Sequence, residues 1–162
     1  MGFSVRKMQE NDIKQVQDVA RATWNATYEG MIPADIQEKF LSAAYSDENM
    51  QRRMERSLVV VAETAESVVG FANFSGVDDD GIVGLGAIYI YPEHQGKGIG
   101  SALLNFAIKE LDGAKEIYVD VEKDNQTGRS FYEAKNFKVI REFDDHFDGH
   151  ILKTVEIVLQ VE

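Results

Sequence analysis

The amino-acid sequence predicts a mixed α/β domain. Two observations carry this prediction: apolar runs typical of strands are interleaved with apolar stripes of helical spacing, and a glycine-dense turn joins one such strand to one such helix. The predicted order is β–α–α(–α)–β–β–β–α–β–α–β–β, without internal repeats, linkers or low-complexity tracts. With 162 residues and a hydrophobic fraction of 44%, the chain is expected to form a single domain over residues 1–162.

The N-terminal half is predicted to contain a strand, two or three helices and a hairpin. Residues 3–8 alternate as a strand does, and Asn11-Asp12 provide an N-cap for a helix whose apolar stripe runs to about Tyr28. Residues 30–33, which include a glycine and a proline, end this helix. Further helices are predicted at 34–44 and 47–56, and the two strands of a hairpin at 58–62 and 68–74.

The C-terminal half is predicted to alternate strands with helices. Residues 144–150, rich in aspartate and histidine, are predicted to form a solvated polar loop. Their irregular spacing does not suit metal ligands on one element, so no metal site is expected. The predicted strands cover 82–91, 116–121, 137–143 and 151–161, and the predicted helices cover 99–111 and 125–135.

Composition and net charge exclude several classes of function for this protein. The net charge of −11 argues against nucleic-acid binding, and it suits either solubility or a cationic partner such as a protonated amine. The absence of cysteine excludes disulfides, thiolate metal sites and a covalent acyl-cysteine intermediate. The N-terminus lacks an apolar signal core and no apolar run is long enough to span a membrane, so a cytoplasmic location is expected.

The most informative segment is Gln95-Gly-Lys-Gly-Ile-Gly-Ser101, between a predicted strand and a predicted helix. Its glycines remove β-carbons, so a bulky anion can approach the backbone, and the free N–H groups at the helix start point towards that anion. Lys97 adds a full positive charge. We interpret this segment as a cradle for a pyrophosphate.

The glycine spacing excludes two common nucleotide sites. The pattern Gly-x-Gly-x-x-Gly would require glycine at 101 or 103, where the chain has Ser101 and Leu103. The nucleotide P-loop would require a glycine at 91 and Ser or Thr at 98, where the chain has Tyr91 and Gly98. What remains has the form Gln/Arg-x-x-Gly-x-Gly/Ala.

A second motif follows closer to the C-terminus. Asn125 lies four residues after Val121, Tyr132 lies seven after Asn125, and Phe137 follows the short helix. Over residues 83–137 the two motifs together resemble the signature of the GNAT superfamily of N-acetyltransferases. Asn136 stands where that family has glycine, a mild departure because asparagine tolerates the left-handed region. The resemblance implies the acyl-CoA N-acyltransferase fold, a mixed sheet whose splayed central strands admit the pantetheine arm of acetyl-CoA.

The resemblance also implies roles for particular residues. The phenol of Tyr132 would lie near the sulfur of acetyl-CoA and act as the general acid. Asn125 would contact the cofactor arm, cap its helix, or do both. The other residues implied to bind acetyl-CoA lie on the strand and in the cradle: Ile88, Tyr89, Ile90, Gln95, Gly96, Lys97, Gly98, Ile99, Gly100 and Ser101.

The resemblance leaves the general base open. Many family members carry glutamate on the strand before the glycine turn, but the matching position here is Gly84. Other members use a carboxylate on the following strand, where Asp120 alternates with two valines and so faces away from them. We therefore rank Asp120 first as the base, acting directly or through water, with a solvent-facing structural role as the alternative.

The acceptor is predicted to be a primary amine of a small molecule, a polyamine or a protein N-terminus. Trp24 and Tyr28 flank the turn that covers the acceptor side in the family, so they are candidate substrate-binding residues. Glu29, near the end of the first long helix, is a third candidate because its carboxylate could bind a cationic substrate. Core packing is the alternative for Trp24, and a solvated helix-end charge is the alternative for Glu29. Together with Pro33, these aromatic residues weakly resemble the branch that contains bacterial polyamine acetyltransferases.

One other function on the same fold stays open, a non-catalytic module that binds or senses acyl-CoA. The glycine at position 84 supports this alternative, and Tyr132 opposes it. No nucleic-acid, metal or membrane partner is expected, and the sequence leaves open whether the chain forms a homodimer.

Overall fold

The computed structural model describes residues 2–161 and shows seven strands and five α-helices in that range. Short 3₁₀ turns at Glu10–Asp12 and Pro92–His94 stand between these elements. Within the described residues, no helix combines the length and the apolar character needed to cross a membrane. The strands are β1 Ser4–Lys7, β2 Leu58–Glu63, β3 Val68–Phe74, β4 Ile82–Ile90, β5 Glu116–Glu122, β6 Lys138–Phe147 and β7 His150–Gln160; the helices are α1 Ile13–Tyr28, α2 Ala34–Ala44, α3 Asp47–Arg56, α4 Ile99–Glu110 and α5 Gln126–Ala134.

The strands form one mixed sheet in the order β1-β2-β3-β4-β5-β7-β6. Strands β4 and β5 are parallel, and they pair over three positions that end at Gly84 and Tyr118. Beyond this point β4 continues beside β3 to Ile90, and β5 continues beside β7 to Glu122. The two strands therefore diverge towards their carboxyl ends and leave a cleft between them. This geometry confirms the predicted mixed α/β fold with splayed central strands.

Helices cover both faces of the sheet. Strand β3 is buried at every position, so its side chains contribute to a core on each face. On one face α4 and α5 pack against the sheet around Leu103 and Ile117, and on the other α1, α2 and α3 pack around Val16 and Phe71. Each fully buried side chain of this size contributes about 1.5–3 kcal/mol. This packing holds the end of α1 and the whole of α5 beside the cleft.

The prediction of a polar loop at 144–150 is wrong. Strand β6 extends to Phe147 and β7 begins at His150, so Asp148 and Gly149 form a two-residue hairpin turn with φ of 48° and 84°. Two positive φ values suit a tight hairpin, and Asp-Gly is a usual sequence for it. The polar composition was misleading because β6 lies at the sheet edge with most side chains exposed, where no apolar alternation is required.

Asp12 occupies the predicted N-cap position of α1, but its side chain makes no capping hydrogen bond. The Asp12 carboxylate instead accepts hydrogen bonds from the Arg6 guanidinium at 2.8 and 3.0 Å and from the N–H of Gln9 at 2.8 Å. Burial alone would raise the pKa of Asp12, but the bonds from Arg6 and Gln9 outweigh it and hold the pKa below its usual value. Asp12 therefore ties β1 to the turn that leads into α1.

Candidate active site

The glycine turn between β4 and α4 presents free N–H groups. Gly96 and Gly98 have φ of 78° and 86°, in the left-handed region that favours glycine. The N–H of Ala102 donates to the carbonyl of Gly98, so the N–H groups of residues 99–101 lie in the open first turn of α4. Lys97 is exposed beside them. Open N–H groups at a helix start with a neighbouring lysine fit a pyrophosphate.

The last glycine of the cradle, Gly100, is also required by the packing of two helices. It is buried, and a β-carbon at this position would lie 2.8 Å from Cε1 of Phe131. Helix α4 therefore approaches α5 closely. At the other end of the loop, Gln95 Nε2 donates to the carbonyl of Ile90 at 3.0 Å and fastens the cradle to the end of β4.

Strand β4 lines one side of the cleft with backbone groups. The N–H of Tyr91 donates to the carbonyl of Val69 on β3 at 3.0 Å. Because N–H groups alternate sides along a strand, those of Ile90 and Ile88 point towards β5, where pairing has already stopped. By the same alternation the N–H of Tyr89 faces β3. Of the three residues predicted to bind the pantetheine arm, Ile88 and Ile90 thus have available N–H groups.

Helix α5 is bounded by two asparagines of the second motif. Asn125 Oδ1 accepts a hydrogen bond from the N–H of Gly128 at 3.0 Å, which confirms the predicted helix cap. Asn136 has φ of 75°, so asparagine does occupy the left-handed position where the family has glycine. These two ends fix the direction of the helix that carries Tyr132.

The phenol of Tyr132 lies beside the cleft. Its ring packs edge-on against Phe131 and Phe137 at centroid distances of 5.3 and 5.2 Å. Burial raises the pKa of Tyr132, and the negative charge of Glu122 raises it further. Among the described residues, no side-chain hydrogen bond perturbs this hydroxyl. A neutral phenol with a free hydroxyl can donate a proton.

Glu122 contributes a half-buried carboxylate that the sequence motifs did not indicate. Glu122 is the last residue of β5, and its Oε1 accepts a hydrogen bond from the Tyr28 hydroxyl at 2.8 Å. Burial raises the pKa of the Glu122 carboxyl and the bond from Tyr28 lowers it, with a net pKa above the usual value. A carboxylate of raised pKa is a stronger base near neutral pH.

The sequence contained a usable signal for Glu122. It lies two residues after Asp120, so the same alternation that turned Asp120 away from the valines places Glu122 on the same face. The predicted strand ended at 121, one residue before the observed end of β5, and therefore left Glu122 out.

The two aromatic residues predicted to bind substrate belong to α1 and point into the core. Trp24 and Tyr28 are 6% and 8% exposed. Trp24 Nε1 donates to the Tyr89 hydroxyl at 2.9 Å, and its ring stacks on Phe40 with 4.5 Å between centroids. Trp24 therefore contacts Tyr89 of the cleft strand β4, whereas Tyr28 contacts the proposed cleft carboxylate, that of Glu122, directly.

Glu29 lies further out. It is exposed on the turn between α1 and α2, where it lines a cavity of about 670 Å³ together with Met31 and His150. Although Glu29 follows Tyr28 in sequence, its carboxylate belongs to this outer cavity and not to the Tyr28–Glu122 pair.

Asp120 lies on the predicted face of β5 and is exposed. It lines another cavity, together with Gly84 and Gly86, and stands opposite Glu156 of β7 in the strand register. Burial raises the pKa of Asp120, and the negative charge of Glu156 raises it further. Two carboxylates, those of Asp120 and Glu122, are thus available on one face of β5.

The arrangement joins an anion cradle, a strand with free N–H groups, a phenol and two carboxylates around one cleft. Such a site can bind a long phosphate-bearing ligand along β4, and it can move protons on either side of a reacting group. Within residues 2–161, no three histidine, aspartate or glutamate side chains are placed to hold a metal ion together.

Comparisons with known sequences give the family. The model of the acetyltransferase (GNAT) family matches residues 18–137. A spermidine N(1)-acetyltransferase of Thermoplasma acidophilum is 29% identical over 147 residues, which cover 86% of this chain and 90% of that protein. An uncharacterized N-acetyltransferase of Bacillus subtilis, YuaI, is 30% identical over 157 residues, which cover 94% of this chain and 90% of that protein.

Comparison with solved structures agrees with this family match. The crystal structure of the PaiA N-acetyltransferase of Thermoplasma acidophilum in complex with coenzyme A has a TM-score of 0.83 and 27% identity, covering 96% of this chain and 98% of that one. The ribosomal-protein-S18-alanine N-acetyltransferase of Escherichia coli has a TM-score of 0.74 at 17% identity, covering 99% of this chain and 95% of that one, a likeness of fold alone. Since the family match includes the cradle, both cleft strands and Tyr132, this protein belongs to the GNAT family of N-acetyltransferases.

Proposed function

We propose that this protein transfers the acetyl group of acetyl-CoA to a primary amine by direct attack within a ternary complex. The observation that carries the proposal is that a half-buried carboxylate, that of Glu122, lies close enough to the buried phenol of Tyr132 to raise the pKa of that phenol, where β4 and β5 diverge. The carboxylate can accept a proton from the amine and the phenol can donate one to the leaving sulfur, and amide formation from a thioester requires both of these proton transfers.

The chain's own groups fit acetyl-CoA as the acetyl donor. The open N–H groups of residues 99–101 and the Lys97 ammonium would hold the pyrophosphate. The N–H groups of Ile88 and Ile90 would hold the pantetheine arm along β4, so that the thioester lies between the strands. A backbone N–H aimed at the thioester oxygen would stabilise the negative charge that develops there.

The reaction then needs three events. A lysine-like amine has a pKa of about 10.4 and arrives protonated, so Glu122 removes one proton. The neutral nitrogen attacks the thioester carbonyl carbon, a C–N bond forms, and the C–S bond breaks as the tetrahedral centre collapses. Tyr132 donates its proton to the departing sulfur, which leaves as the thiol of coenzyme A, and the resulting phenolate takes up the second proton of the attacking nitrogen, so that a neutral amide forms.

We assign the base to Glu122 in preference to Asp120, the residue predicted from the motif. Both carboxylates face the same side of β5, but Glu122 is less exposed and is oriented by the Tyr28 hydroxyl. A positioned and partly desolvated carboxylate accepts a proton more effectively than an exposed one. Asp120 is then free for a separate role.

Charge around the cleft favours a small polycationic amine over a protein N-terminus as the acceptor. Charged groups surround the two carboxylates of β5. Glu156, Asp145 and Arg141 lie close enough to act on the pKa of Asp120, and the negative charges of Asp145 and Asp120 raise the pKa of Glu122. This excess of negative charge attracts cations. The relative named as a spermidine N(1)-acetyltransferase gives the same indication.

The decisive experiment is a screen of amines with acetyl-CoA that measures the released thiol, followed by two variants. Tyr132→Phe keeps the ring and removes the hydroxyl, so coenzyme A affinity should persist while kcat falls by about 10²- to 10⁴-fold. Glu122→Gln should lower kcat by a similar factor and remove the acidic limb of the pH–rate profile.

Glu116→Gln is a matched control on the same strand. Glu116 also accepts a hydrogen bond from a phenol, that of Tyr118 at 3.1 Å, but it lies at the opposite end of β5. Its replacement should leave kcat and the pH profile unchanged. Coenzyme A binding without turnover of any amine would instead support the sensing module, and wild-type rates for Tyr132→Phe at every pH would remove the proposed acid.

A further inference from the structure

A cavity of about 550 Å³ opens on the sheet where β4 and β5 begin to diverge. Its lining comes from four strands and includes Gly84 and Gly86 of β4, Asp120 of β5 and Glu156 of β7. This volume lies within the range of small-molecule sites in proteins. The cavity is separate from the outer cavity that contains Glu29.

The two glycines are not explained by the fold itself. Neither has a positive φ, and a β-carbon at Gly84 or Gly86 would meet no atom nearer than 3.8 or 3.7 Å respectively. Glycine inside a strand weakens it, since it adds entropy to the unfolded chain and packs no side chain. The space that these glycines leave open is the cavity, which indicates that the cavity accommodates a ligand.

The charge of the cavity suits one cation. Within residues 2–161, Asp120 has neither a hydrogen bond nor an ion pair for its side chain, whereas Glu156 pairs with Arg141 at 2.8 Å. The Glu156–Arg141 pair is neutral in sum, so Asp120 contributes one uncompensated negative charge. A single ammonium would balance it, with the second oxygen of Glu156 as a further acceptor.

The distance to the proposed base sets the length of the ligand. Asp120 and Glu122 are two residues apart on one face of β5, which corresponds to about 6.6 Å along a strand. An extended chain of three or four methylenes between two nitrogens spans a similar length. An amine that reacts beside Glu122 can therefore place a second nitrogen at Asp120.

We propose that this cavity is the second-amine subsite of the acceptor, in which Asp120 binds the distal ammonium of a diamine while the other nitrogen is acetylated beside Glu122. The proposal rests on the amine acetyltransferase function given above. It makes Asp120 a residue that determines specificity and distinguishes diamines from monoamines of equal length.

The test compares kcat/KM for 1,4-diaminobutane and butylamine at constant salt. A hydrogen bond to a charged group predicts that the wild type prefers the diamine by about ten- to a hundredfold. In Asp120→Asn, which keeps the shape of the side chain, the preference should fall to within about threefold of unity, chiefly through a higher KM for the diamine. Asp144→Asn is the control, because Asp144 forms an exposed ion pair with Lys153 away from the cavity. This variant should keep the wild-type preference for the diamine.

A series of diamines with two to eight methylenes, measured on the wild type, tests the spacing without any substitution. An optimum at three or four methylenes supports the proposal, and a flat series overturns it. Equal loss of activity on both amines in Asp120→Asn would also overturn it, since that result would make Asp120 the base. If the wild type binds coenzyme A but acetylates no amine, the proposed function fails and this inference fails with it; if it acetylates both amines equally, the inference alone fails.

Discussion

Replacing Tyr28 by phenylalanine should move the acidic limb of the pH–rate profile to higher pH. The Tyr28 hydroxyl donates to the Glu122 carboxylate at 2.8 Å, and Tyr28 is only 8% exposed, so water replaces this donor poorly. The bond stabilises the charged form of the carboxylate, and its loss leaves burial as the dominant influence on the pKa of Glu122.

The size of the shift follows from the strength of the bond. A hydrogen bond to a charged group contributes about 1.5–3 kcal/mol, and one pKa unit corresponds to about 1.36 kcal/mol. The pKa of Glu122 in Tyr28→Phe should therefore rise by about one to two units. At mildly acidic pH more Glu122 is protonated and cannot accept the proton of the amine, so the rate falls there and recovers as the pH increases.

The assay is kcat/KM against pH between about 5 and 9 with one acceptor amine, for the wild type, Tyr28→Phe, Glu122→Gln and the double variant. Tyr28→Phe should shift the limb only when Glu122 is present, because the effect acts through that carboxylate. An unshifted limb in Tyr28→Phe, or an equal shift in the Glu122→Gln background, would refute the assignment of Glu122 as the base.

Three further outcomes are expected. Gly98→Val should abolish coenzyme A binding in titration calorimetry. Gly113→Val is its control, because Gly113 has a similar φ of 83° and equal free space around it. Both variants should lose about 1–2 kcal/mol in stability, but Gly113→Val should keep full affinity for coenzyme A. Asp12→Asn should lower the free energy of unfolding in urea by about 2 kcal/mol at pH 7, less than a fully buried pair because the Arg6 side chain is 31% exposed. Since the pKa of Asp12 is depressed in the folded state, its stabilising contribution is present above about pH 4 and is lost as the pH falls through the folded pKa, so the two unfolding curves should converge in acid. Gly84→Ala should raise KM for the diamine while increasing stability by about 0.4–1 kcal/mol; an unchanged KM would mean that the acceptor avoids this cavity.

Local sequence patterns predicted most of the fold because the determinants of the elements are local. Helices α2 and α3 begin and end at the predicted residues. Pro33 precedes α2 and Ser46 precedes α3, and both residue types are usual before the first turn of a helix. Strand β6 was missed in part because it packs little of its surface, and an exposed strand has no apolar pattern to detect. The Asp148-Gly149 pair carried the missing information, as a turn signal independent of burial.

The candidate site was less accessible because its chemistry depends on contacts between distant segments. The cradle and Tyr132 were indicated by short motifs, but the bond between Tyr28 and Glu122 joins residues 94 positions apart. No pattern within either segment reveals that partner. The same holds for Asp120, whose face was predictable from alternation, while its cavity is formed by residues of four strands.

The link between Trp24 and Tyr89 gives the protein an intrinsic optical reporter. The chain contains one tryptophan, so its near-ultraviolet emission comes from a single known environment. The indole N–H of Trp24 bonds to a phenol carried by β4, the strand that would hold the pantetheine arm. A ligand that displaces Tyr89 by a fraction of an ångström would alter the polarity around the indole, so binding to the cleft and its rate can be followed by stopped-flow fluorescence on the unlabelled protein.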